Sequence, residues 1–139
     1  MDETGESSVL LVARFLLGSL FLWSGIGQVQ GYDETAIFLA RHGVIGSLLP
    51  VAIFVELAGA LLIITGYRTK WTCLTLAGFC VMTALLFHAN FADRTQMFHF
   101  LKNVAIAGGL LSLYVSGPGR LSFDAMGTRE EDQRTASRP

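Results

Sequence analysis

The stretch VIGSLLPVAIFVELAGALLIITGY, Val44 to Tyr67, runs for 24 residues with one charged side chain, Glu56, near its middle. At about 1.5 Å per residue such a run is long enough, as a helix, for a hydrocarbon core of about 30 Å. A backbone in lipid has no water to bond to, so a spanning run must be helical or part of a closed barrel. Strict alternation is absent here, which leaves the helix. Three further runs have the same character: Val9 to Gln28, Thr72 to Ala92 and Phe98 to Ser116. The pattern therefore predicts an all-α, integral membrane bundle of four transmembrane helices.

Composition points the same way. The 139 residues are 52% hydrophobic and 15% charged, with a mean hydropathy of +0.51, whereas soluble domains carry about 25% charged residues. Most charges lie in residues 1–8, in residues 120–139 and in three short connections; only Arg14, Glu56 and Lys102 interrupt apolar runs. So few charges cannot cover a water-soluble core, which excludes an ordinary soluble enzyme. The net charge of −1 offers no basic patch and excludes nucleic acid as a partner. Cys73 and Cys80, seven apart on one helix, are too distant for a disulfide and read as small apolar residues on one face. Neither a zinc spacing nor any other metal-ligand set is present.

The expected organisation is a leading segment (1–8), a four-helix membrane domain (9–119) and a polar tail (120–139). The acidic leading segment lacks the basic flank of a signal peptide, so the first run reads as a true span. Tyr32 to His42 reads as a short interfacial helix in the first loop. Gly117-Pro118-Gly119 ends the fourth span, and the last dozen residues are expected to be disordered. Lys and Arg favour the side holding Arg68, Lys70, Arg120, Arg129, Arg134 and Arg138 over that holding Arg41 and Arg94. Both termini and the second loop are thereby expected in the cytoplasm.

The intramembrane polar residues form the candidate site. A Glu at a helix centre costs about 2.5–3.5 kcal/mol on insertion scales, so it needs a partner or a use. Glu56 lies on a stripe with Ala52, Gly59 and Gly66, and Arg14 shares a face with Gly18 and Gly25, with Gln28 nearby; both stripes suit close helix packing. Arg14 is positioned either to pair with Glu56 or to snorkel to headgroups. His99, Lys102 and Asn103 share one face at i, i+3 and i+4, and His88 lies about four residues from the outer end of the third span. Glu56, His99 and Lys102 are the candidate catalytic residues; Arg14, Gln28, His88 and Asn103 are the candidate substrate-binding residues. Blander readings stand beside these: Lys102 snorkelling outward, the two His bonding across helices, and Glu56 in a structural pair.

Several stretches resemble the DoxX family of small bacterial inner-membrane proteins. They are Arg14-Phe15-Leu16-Leu17-Gly18, Trp23-Ser24-Gly25-Ile26-Gly27, Val55-Glu56-Leu57-Ala58-Gly59, Gln96-Met97-Phe98-His99-Phe100-Leu101-Lys102-Asn103 continuing to Gly109, and Gly117-Pro118-Gly119-Arg120. The resemblance covers about residues 10–124. It implies a four-helix membrane bundle loosely described as an oxidoreductase or quinol-oxidase-like subunit, with Arg14, Glu56, His99, Lys102 and Asn103 as motif positions. Gln28 stands where the family often has Lys. No cofactor is fixed by the residues; a quinone is the one the resemblance implies. Lipid, a soluble oxidoreductase and a second copy of the chain are the other partners in view. The alternatives are a non-catalytic adaptor or scaffold subunit of a redox complex, a small proton-coupled transporter, and a haem held by His88 and His99.

Overall fold

The computed structural model describes residues 3–136, with side chains over 4–129. Helix α1 spans Glu3–Gln30, α2 Tyr32–Arg41, α3 Leu49–Thr65, α4 Thr69–Phe87, α5 Arg94–Ser116 and α6 Phe123–Ala136; a 3-10 turn, Gly46–Leu48, leads into α3. No strand occurs among the described residues. Four segments are long and apolar enough to cross a bilayer: Thr4–Gln30, Gly46–Thr65, Thr69–Phe87 and Arg94–Ser116. The chain is an all-α membrane bundle, as its hydropathy predicts.

Local chemistry sets the helix ends. Pro50 sits in the first turn of α3, where a missing N–H costs nothing. Gly66 ends that helix with φ 69°, a left-handed conformation that glycine adopts without steric penalty. The third span stops at Phe87, earlier than the expected Ala92: the His88 N–H still donates to the Ala84 carbonyl, but at φ −129° and ψ 21° its backbone has left the helix. The fourth starts at Arg94, before the expected Phe98, because Asp93 accepts from the Thr95 and Gln96 N–H groups as an N-cap.

The helices associate as two close pairs, α1 with α3 and α4 with α5, joined along looser α3–α4 and α1–α5 seams. The small-residue stripes form the first pair: Gly18 lies against Ile64 and the Ala60 carbonyl, and Gly25 against Leu57 and the Glu56 Cβ. Gly59 receives Leu76 across the α3–α4 seam. Phe21, Ala60, Ile63, Leu76, Leu110 and Leu113 fill the core with Cys73 and Cys80, both free thiols.

Two expectations fail at the end of the bundle that carries the tail. Residues 123–136 form α6, so the last dozen residues, expected to be disordered, are helical as far as Ala136; 137–139 lie outside the described residues, as do Met1 and Asp2. The tail is poor in apolar residues but rich in helix formers, and its start is anchored. The Ser122 hydroxyl accepts from the Ala125 N–H at 3.2 Å, and the Asp124 N–H donates to the Gly66 carbonyl at 3.0 Å. Asp124 also caps another helix: its two oxygens accept from the Arg68 and Thr69 N–H groups at 2.7 and 2.9 Å. The α4 N-terminus has no cap from its own residues, so Asp124 serves in trans. Asp124→Ala is expected to lower stability by about 1–2 kcal/mol, measured by denaturant titration in mixed micelles.

The second correction concerns Arg14. It neither pairs with Glu56 nor snorkels; it is fully buried. Its guanidinium donates to the Ile64 carbonyl at 3.4 Å and to the Leu121 carbonyl. In α1 it lies ten residues, about 15 Å, from Ser24, which contacts Glu56. A carbonyl at each side offers this guanidinium fork a nearer set of acceptors than the carboxylate does.

Candidate functional site

Glu56 sits inside the α1–α3 pair, 6% exposed. Ser24 Oγ donates to its Oε1 at 3.2 Å and Gln28 Nε2 to its Oε2 at 2.8 Å. Gln28 Nε2 also lies 3.4 Å from Ser24 Oγ, as the i, i+4 spacing allows. The carboxyl group is thus held by two neutral donors from the neighbouring helix. Among the described residues no cationic group forms an ion pair with it. The Gln28 Oε1 is buried and has no hydrogen-bond partner.

A cavity of about 520 Å³ adjoins this group. Thr35, Phe38 and Leu39 of α2 roof it; Ala52, Val55 and Glu56 of α3 form one wall, and Thr83 and Phe87 of α4, with His88 just beyond its end, another. Lys102 and Asn103 of α5 complete it together with Ser24 and Gln28. The short helix expected in the first loop is present as α2, and Phe38 packs on Phe87 with ring centroids 5.5 Å apart.

Five of the seven residues singled out in the sequence, Glu56, Gln28, His88, Lys102 and Asn103, line one cavity. His99 lines it only at one remove. Its ring lies 5.1 Å from that of His88, inclined by 32°, and His88 Nδ1 is 2.7 Å from Gln96 Oε1. The two rings thus lie against each other rather than on either side of a common space. Arg14 lies at the other end of the bundle. Sequence reasoning passed over Ser24, Thr83 and Gln96. Ser24 was detectable: it stands one helical turn before Gln28 and inside the Trp-Ser-Gly stretch.

The arrangement can offer a ligand a buried carboxyl, an unpaired amide oxygen, an amide and an ammonium group, within otherwise apolar walls. This defines a four-span membrane protein whose two helix pairs enclose a cavity with a cluster of polar side chains on it. The chain belongs to the DoxX family, whose model matches residues 9–89. It is 43% identical over 121 residues to the Inner membrane protein YqjF of Escherichia coli (strain K12), covering 87% of this chain and 93% of that one. It is 32% identical over 124 residues to the Inner membrane protein YphA of the same organism, covering 84% and 88%. No solved structure matches it. The family match includes Arg14, Gln28, Glu56 and His88 and ends before the His99–Asn103 stretch.

Proposed function

We propose that the chain is an inner-membrane quinone-binding subunit of an oxidoreductase, with both termini in the cytoplasm and electrons supplied by a separate, soluble oxidoreductase chain. The observation that carries this reading is the buried Glu56 beside a Gln28 oxygen that lacks a donor, both on a cavity of about 520 Å³ lined by polar and apolar side chains together. A quinol has two hydroxyl donors, which Glu56 and Gln28 Oε1 are suited to accept. A quinone has two carbonyl acceptors, for which Lys102 and Asn103 supply N–H donors. The quinone exchanges two electrons and two protons; the chain orients the ring, excludes water and, at Glu56, takes up or returns a proton. Lys102 on the same wall opposes a cationic substrate, which counts against an exporter of cations.

The chain has two tryptophans, and Trp23 adjoins Ser24. In a Trp71→Phe background a tail-less benzoquinone is expected to quench Trp23 fluorescence saturably in nanodiscs. Glu56→Leu is expected to weaken that binding about tenfold or more, the range for losing a hydrogen bond to an ionisable group. Quenching that never saturates, or a Kd unmoved by Glu56→Leu, would reject the site and leave the adaptor reading.

A further inference from the structure

A second cavity, of about 350 Å³, meets the first at Glu56. The two share Ser24, Glu56, Phe79, Thr83, Lys102 and Asn103. What they do not share separates their directions. The larger one continues towards α2. The smaller one continues between α1 and α5, past Leu20, Phe21 and Trp23 on one side and Ile106 on the other. Of these, Leu20 is 40% and Trp23 82% exposed, so the smaller cavity opens sideways on the surface that faces lipid. The α1–α5 seam is one of the two loose seams of the bundle. Nearer the tail end Leu17 and Gly109 face each other across it, the Leu17 side chain lying 3.7 Å from where a Cβ on Gly109 would stand.

From this geometry we infer that the α1–α5 seam, between Leu20 and Trp23 on one helix and Ile106 on the other, is the lateral entry of the site and holds the long apolar tail of a membrane-dissolved quinone. The inference rests on the quinone reading above and names its substrate class: a lipid-soluble, tailed quinone arriving from the bilayer. An entirely apolar tail has no reason to cross the α2 end, where Asp33, Glu34 and Arg41 stand exposed. Beside Ile106 it stays in hydrocarbon while the ring reaches Glu56. The unshared lining of the smaller cavity (Leu20, Phe21, Trp23, Cys80 and Ile106) carries no charge, as such an occupant requires.

The test is photolabelling of the full chain in nanodiscs with a benzoquinone whose long alkyl tail carries a diazirine, followed by peptide mapping. Label is expected on the segments holding Leu20–Trp23 and Ile106, displaced by excess tail-less quinone. Ile106→Trp, which fills the seam, is expected to reduce that labelling about tenfold. Displaceable label on Phe38, Leu39 or Val44 would overturn the lateral route while leaving the quinone site standing. Absence of displaceable label, in a protein whose Trp23 is saturably quenched by tail-less quinone, would overturn it too. If tail-less quinone does not bind at all, the site reading itself fails, and that result is distinct from the other two.

Discussion

Gly66→Ala is expected to destabilise the protein by roughly 2–4 kcal/mol, the sum of a left-handed backbone and a steric conflict. A methyl group at this position would run into the Arg14 guanidinium and lie 2.6 Å from the Ser122 Cβ, and φ is already 69°. Neither neighbour can yield cheaply. Arg14 is pinned by two carbonyls, and Ser122 bonds both Gly119 and Ala125. Gly78 provides the control: nothing lies within 4 Å of its would-be Cβ, and it sits inside α4. Gly78→Ala should be neutral or slightly stabilising, since alanine is the better helix former by up to about 1 kcal/mol. Denaturant titrations in mixed micelles compare the two; equal midpoints would contradict the geometry.

Arg14→Met should have an effect of similar size, about 2–5 kcal/mol in the same assay. Its shape is close enough to fill the space, but it leaves the Ile64 and Leu121 carbonyls without their donor, at roughly 1–3 kcal/mol for each buried group. Arg14→Lys should fall between the two proteins, because a single ammonium cannot reproduce the fork that bonds both carbonyls. If Arg14→Met unfolds no earlier than the parent, the buried guanidinium is not holding the tail to the bundle. Protease sensitivity beyond Gly119 offers a second readout, expected to rise in Arg14→Met.

The four spans were legible because lipid imposes one rule on every residue of a crossing segment, and that rule survives any detail of packing. Glu56 was legible for the same reason: a carboxyl at that depth must be enclosed. The i, i+3, i+4 spacing of His99, Lys102 and Asn103 placed them on one face, yet only Lys102 and Asn103 reach the cavity, while His99 stops against His88. Spacing fixes a face but not the neighbour that a given side chain meets. Arg14 misled for a related reason. Charge matching suggested a carboxyl partner on the adjacent helix, but its acceptors are backbone carbonyls at Ile64 and Leu121, and carbonyls leave no trace in residue identity. Composition misjudged the tail because α6 is held by specific bonds at Ser122 and Asp124 rather than by apolar area.

The clasp of Leu121, Ser122 and Asp124 on Arg14 and on the first turn of α4 also sets an order of assembly. Arg14 enters the bilayer with the first span, more than a hundred residues before Leu121 is synthesised. Until then its guanidinium lacks one of its two acceptors, and α4 lacks its cap. The bundle is therefore locked by residues 121–124, after all four spans have been synthesised, and a chain that stops short of Leu121 has four helices without this fastening.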